Sequence, residues 1–172
     1  VWVTMTDLDN IPSRFWEHLV RVFLLHRPAL GKKMQAIGFP DDLHTFGQFL
    51  TILTEELYHD DQVVSFVFDD VHLLKNQTVR AFLSDFLSSR LENSYMFVLT
   101  RGWPVFGRPS AAASQVIPAD ELRFTSEEAA QFFSAVGLQL DGNTVKSVHE
   151  YVSGWPMALS LITLSLKRKP PE

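Results

Sequence analysis

The residues from Val63 to Phe68 are apolar apart from Ser65 and run straight into the acid pair Asp69-Asp70. A run this short suits a strand, and one without polar alternation suits a strand covered on both faces, as in parallel sheets flanked by crossover helices. Such a strand needs neighbours running the same way and helices that return the chain. Val1-Trp2-Val3-Thr4-Met5 is rich in β-branched and aromatic residues, and Asp7, Asp9, Asn10 and Pro12 close it as a turn. Tyr95 to Thr100 supplies a third strand of the same kind.

Helical spacing fills the intervals. Phe15, Trp16, Leu19, Val20, Phe23 and Leu24 recur on one face until Pro28 stops the pattern, and residues 29–40 are expected to form a loop. Leu43, Phe46, Phe49, Leu53 and Leu57 mark a second helix, and Val79, Phe82, Leu83, Phe86 and Leu91 a third. The order strand, helices, strand, helix, strand predicts an α/β domain with a largely parallel sheet and right-handed crossovers. Gln115-Val116-Ile117 is a further candidate for a short strand.

Beyond Leu122 only helical patterns remain. Thr125-Ser126-Glu127-Glu128 has the form of a capping box, Asp141 is placed to cap a second helix, Gly154 to end it, and Met157 to Leu166 forms a third. The expected division is an α/β part over 1–120, a small all-helical subdomain over 121–167, and a linker over 168–172.

Charge narrows the function classes. Fifteen basic and twenty acidic side chains give a net charge of −5, which leaves no footprint for phosphate backbones, so direct nucleic-acid binding by this segment is not expected. With no cysteine there is neither a disulfide framework nor a thiolate nucleophile. The histidines at 18, 26, 44, 59, 72 and 149 lack the one-face spacing of a metal-binding helix. The apolar stretch Met157 to Leu166 is too short for a bilayer span.

In open α/β sheets ligands bind beyond the carboxyl ends of the strands, so the polar groups there are the first candidates. Val63 to Asp70 has the form of a Walker B motif, in which Asp69 would serve a magnesium ion and Asp70 would polarise the attacking water. On spacing alone, the two acids serve equally well as the start of a turn and a helix cap. Thr100-Arg101 ends the next strand, where the guanidinium would meet a γ-phosphate or simply sit at the surface. A G-x-x-x-x-G-K-[ST] loop is absent from the sequence. Gly31-Lys32 is a false match, because His26 stands where Gly is required, Lys33 where Ser or Thr is, and a helix precedes it. Gly102-Trp103-Pro104 and Gly154-Trp155-Pro156 are corners able to present an apolar wall to a flat ligand, or to bury a Trp at a helix restart. His72 fits loop packing better than proton transfer.

Taken in order, these segments resemble the nucleotide-binding region of MalT-like LuxR-family regulators of the STAND class, over most of the chain. The resemblance is carried by Leu8-Asp9-Asn10-Ile11-Pro12-Ser13-Arg14-Phe15-Trp16, by Phe68-Asp69-Asp70-Val71-His72, by Thr100-Arg101 with Pro104, and by Leu122 to Ala130 followed by Gly154-Trp155-Pro156-Met157-Ala158-Leu159. The loop Val105 to Pro109 is shorter and less basic than that family's, and Ser153 stands where an acid is common.

The resemblance implies a P-loop NTPase core, incomplete here because its P-loop strand is missing, and a switch between ATP-bound and ADP-bound forms. Asp70 would be catalytic and Asp69 would hold magnesium, while Arg101, Trp155 and Pro156 would lie at the nucleotide. ATP, ADP and magnesium would belong to the intact protein, and the isolated segment would bind ATP weakly or not at all. DNA would be reached only through a helix-turn-helix outside this chain, and an inducer through a downstream sensor. The location implied is the cytoplasm, with no membrane contact. Losing the P-loop strand would leave a sheet position unpaired, which predicts that the segment fills the gap by self-association or by local rearrangement. Two other readings compete: a non-catalytic interaction scaffold with the same fold, and a stand-alone phosphohydrolase using the two acids as metal ligands.

Overall fold

Val64–Asp69 forms the middle strand, β2, of a parallel sheet whose order is β1-β2-β3, with β1 at Trp2–Thr4 and β3 at Ser94–Val98. The computed structural model describes residues 1–58, 63–89, 91–102 and 115–168. Val3 pairs with Phe68 and Thr4 with Asp69 on one side of β2, and Phe66 pairs with Met96 and Phe68 with Val98 on the other. All three expected strands are present and parallel.

Four helices accompany this sheet: α1 (Pro12–His26), α2 (Pro28–Ile37), α3 (Leu43–Tyr58) and α4 (Gln77–Ser88). Their apolar faces share one core with Val3, Val64, Phe66 and Phe68. Its centre is aromatic. Trp16 meets Phe82 edge to face at 5.8 Å, Phe82 stacks on Phe86 at 6.2 Å, and Phe86 meets Phe66 edge to face at 5.7 Å. Burying each such side chain contributes about 1.5–3 kcal/mol. The Trp16 indole N–H donates to the Met34 carbonyl at 3.2 Å, so the core's large polar-edged ring is satisfied.

Three expectations need correction. Residues 29–40 are not all loop, because Pro28 begins α2 as well as ending α1. Proline at the first helical position sacrifices only an amide that has no partner there, and Leu30 and Met34, one turn apart, bury fully. Residues 115–117 form no strand, and Val116 and Ile117 are about half exposed. Nor is β2 buried on both faces. Val64, Phe66 and Phe68 are buried, but Ser65 is exposed, and on the same face Trp2, Tyr95 and Phe97 are 55%, 63% and 50% exposed. The apolar run therefore includes a face that the described helices of residues 1–102 leave largely uncovered, with Val67 partly buried at its centre.

The chain divides into two compact units, Val1–Ala111 and Ala112–Glu172. In the second, α5 (Ser126–Ala135), α6 (Gly142–Val152) and α7 (Pro156–Arg168) surround Ala129, Phe133, Val145 and Leu159. The capping box forms as expected: Thr125 Oγ1 accepts from the Glu128 amide at 3.2 Å, and Glu128 Oε2 accepts from the Thr125 amide at 2.8 Å. Asp141 caps α6, accepting from the amides of Asn143 and Thr144, each at 3.0 Å. The described residues thus make a mostly helical protein with a small parallel sheet. No helix among them is long and apolar enough to cross a membrane.

Candidate functional site

Asp69 and Asp70 stand at the carboxyl end of the middle strand, the position where a parallel sheet offers polar groups to a ligand. The Asp69 carbonyl accepts from the Met5 amide at 2.9 Å, which ties this strand end to β1. Its side chain turns back on the main chain, Oδ1 accepting from the Asp70 amide at 2.9 Å and leaving Oδ2 without a donor among the described residues. Asp70 adopts the left-handed conformation, with φ 54° and ψ 33°. A residue other than glycine seldom rests there, and aspartate tolerates it better than most.

From Asp70 the chain enters a 3-10 turn, Val71–Leu73. The Val71 amide donates to the Leu99 carbonyl at 3.1 Å, and the Leu99 amide donates to the Phe68 carbonyl at 2.8 Å, so the ends of β2 and β3 are laced together. Thr100 and Arg101 follow Leu99 directly in the chain, Thr100 half-buried and Arg101 exposed, and neither bonds to either acid among the described residues. His72 Nδ1 lies 3.7 Å from Asp70 Oδ1, too far for a hydrogen bond, and is buried with no hydrogen-bond partner among the described residues.

The preceding turn belongs to the same place. Asn10 ends a 3-10 turn, Asp7–Asn10. Its Nδ2 donates to the Leu73 carbonyl at 3.0 Å, and its Oδ1 accepts from the amides of Lys75 and Asn76 at 2.5 and 2.9 Å. Asp9 beside it is buried, with Oδ1 2.9 Å from His18 Nδ1. By type and spacing Asp9 and Asn10 mark only a turn, and the family resemblance includes both without giving either a role.

Among the described residues no group of three or more histidine, aspartate or glutamate side chains is arranged to hold a metal ion by itself. Magnesium commonly takes only one or two carboxylates and completes its shell with phosphate oxygens and water. Asp69 Oδ2, which accepts no hydrogen bond among the described residues, and the neighbouring Asp70 are the oxygen donors that could join such a shared shell, and the buried His72 nitrogen is not one. Gly31 packs inside α2, where an added Cβ would lie 2.7 Å from the Leu24 amide nitrogen, so this glycine serves helix contact and not a phosphate loop.

Trp155 and Pro156 belong to the second unit. Pro156 opens α7, and Trp155 is 60% exposed. Gly154, at φ 68°, approaches the Phe124 carbonyl so closely that a Cβ would stand 2.3 Å from its oxygen. The Phe124 amide donates to the Gly154 carbonyl at 2.9 Å, and His149 Nε2 reaches the Phe124 carbonyl at 2.8 Å. The corner is thus pinned by backbone contacts, leaving its Trp outward. The other corner, Trp103-Pro104, lies outside the described residues.

The chain is 28% identical over 171 residues to the HTH-type transcriptional regulator MalT of Yersinia enterocolitica, and 27% identical over 176 residues to that of Vibrio cholerae. The Serratia proteamaculans MalT is 26% identical over 171 residues. Each match covers 97–98% of this chain but only 19% of the relative. No family model matches the chain. The chain is therefore similar to MalT regulators over nearly its whole length and spans about a fifth of theirs.

Proposed function

We propose that this chain is the middle of an ATP-controlled switch in a transcriptional regulator of the STAND class, with half of the nucleotide site at the β2 and β3 strand ends. The carrying observation is the placement of Asp69-Asp70 at the end of the central parallel strand, with Asp70 in a left-handed conformation, in a chain resembling MalT throughout. Asp69 would hold the magnesium shell through Oδ2, Asp70 would orient and polarise water, and Arg101 would meet the γ-phosphate. Magnesium and nucleotide, when bound, supply the electrophilic phosphate and neutralise its charge. Trp155 and Pro156 would lie against the nucleotide, and the second unit would change its packing between the ATP and ADP states.

The phosphate-binding loop would come from residues beyond these. Support lies in β3, whose outer edge is unpaired among the described residues, and in the bare face of Trp2, Tyr95 and Phe97. One more strand and helix would cover both, and a second copy of the chain would take that place when they are missing. DNA recognition would rest on a helix-turn-helix elsewhere in the protein, as the relatives' names indicate for them.

Nucleotide binding by the intact protein tests this reading. A fluorescent ATP analogue should bind in a magnesium-dependent way, and Asp69→Asn should raise the magnesium concentration required by on the order of tenfold. Binding that is absent, or indifferent to both magnesium and Asp69, would favour a scaffold with no catalytic part.

A further inference from the structure

The acid-bearing turn is a short loop, residues 70–76, between the end of β2 and the start of α4. Its near end is fixed where Val71 bonds the Leu99 carbonyl, and its far end where Asn10 takes hold of Leu73, Lys75 and Asn76 across 63 to 66 residues of sequence. Asn10 is itself held firmly: its Nδ2 also donates to the Asp7 carbonyl at 3.2 Å, and the adjacent Asp9 fixes the turn to α1 through His18. Asn76, at the far end, then caps α4 by accepting from the Val79 amide at 3.1 Å.

From this we infer that Asn10 is a positioning residue for Asp70, setting the loop that carries the catalytic carboxylate; this rests on the reading of Asp70 given above. Asn10 can hold all three because its carboxamide carries a donor and a two-lone-pair acceptor on separate atoms, Nδ2 toward the Leu73 carbonyl and Oδ1 toward the Lys75 and Asn76 amides. A left-handed aspartate persists only where the surroundings over-determine the backbone, at a cost of order 1–3 kcal/mol. The two ends of loop 70–76 are that constraint: β3 supplies one and Asn10 the other. Asn10 touches no reacting group, so its effect must reach catalysis through where Asp70 stands.

The test uses the intact protein with ATP and magnesium. Asn10→Ala should lower kcat on the order of ten- to a hundredfold while KM for ATP stays within about threefold, because misplacement of a catalytic group costs rate and leaves binding intact. Amide exchange should accelerate over residues 71–76. Asn10→Asp keeps the acceptor for Lys75 and Asn76 and loses the donor to Leu73, so it should recover part of the rate. If Asn10→Ala does not fold, Asn10→Asp alone is read, and a normal kcat there overturns the inference. Unchanged kcat with faster exchange in Asn10→Ala also overturns it, since the clamp would then serve only the fold. If the wild-type protein does not hydrolyse ATP, the functional reading falls separately. Exchange then decides: acceleration reaching Val71 supports the positioning link, and acceleration confined to Lys75 and Asn76 overturns it.

Discussion

The Asp9 carboxylate, only 1% exposed, lies 2.9 Å from Nδ1 of His18, and its other oxygen accepts from the Thr6 amide and hydroxyl at 2.6 and 2.8 Å. These contacts join the turn after β1 to α1. Asp9→Ala removes a buried carboxylate together with its hydrogen bonds from Thr6 and should cost about 1–3 kcal/mol. A double-mutant cycle with His18→Ala, read by urea unfolding through Trp16 fluorescence, should show coupling of about 0.5–3 kcal/mol. Additive losses would mean that the pair does not act together.

Glycine matters at α2 for a steric reason. Gly31→Ala would set a methyl 2.7 to 2.8 Å from backbone atoms of Leu24 on α1, and backbone cannot yield as a side-chain tip does. We expect a loss of about 1–3 kcal/mol in thermal or urea unfolding. Gly47, in α3, has open space around its Cα, so Gly47→Ala should stabilise by about 0.5–1 kcal/mol.

Acid should loosen the second unit at a defined point. Hydrogen bonds from the Thr144 hydroxyl, and then from the Thr144 amide, hold the Asp141 carboxyl below its usual value of 3.8. A depressed carboxylate contributes stability that is fully present above the unfolded pKa and is lost as pH falls through the lower, folded one. The start of α6 should therefore be unchanged at neutral pH and fray only in strong acid, below the ordinary carboxylate range. Asp141→Asn retains a good cap and should remove that acid step from the α6 amide signals.

The bare sheet face predicts association. The isolated 172-residue chain should form dimers or larger species in sedimentation, and Phe97→Lys, on a half-exposed position, should return it to monomer without loss of helix content. A monodisperse wild-type monomer would contradict the proposed strand replacement.

What could be read from sequence was local. The capping box at Thr125 and Glu128, the cap at Asp141 and the three strands each rest on neighbours within a few residues, and each formed as expected. The start of α2 was missed because Pro28 signals both a helix stop and a helix start, and only the tertiary contact of Gly31 with Leu24 shows which. The apolar run at β2 overstated its cover, since composition shows what a face would bury but not whether a layer is present. The Asn10 clamp joins residues more than sixty positions apart, and no period or spacing marks such a contact. The left-handed backbone of Asp70 is likewise a property of its surroundings, not its type.

Asp70 is the group proposed to act on water, and single-turnover ATP hydrolysis by the intact protein measures that role directly. Asp70→Asn should lower the rate by on the order of a hundredfold or more while ATP binding and thermal stability are retained. Unchanged turnover in Asp70→Asn would contradict the assignment, and unchanged transcriptional regulation alongside it would leave the fold as a scaffold.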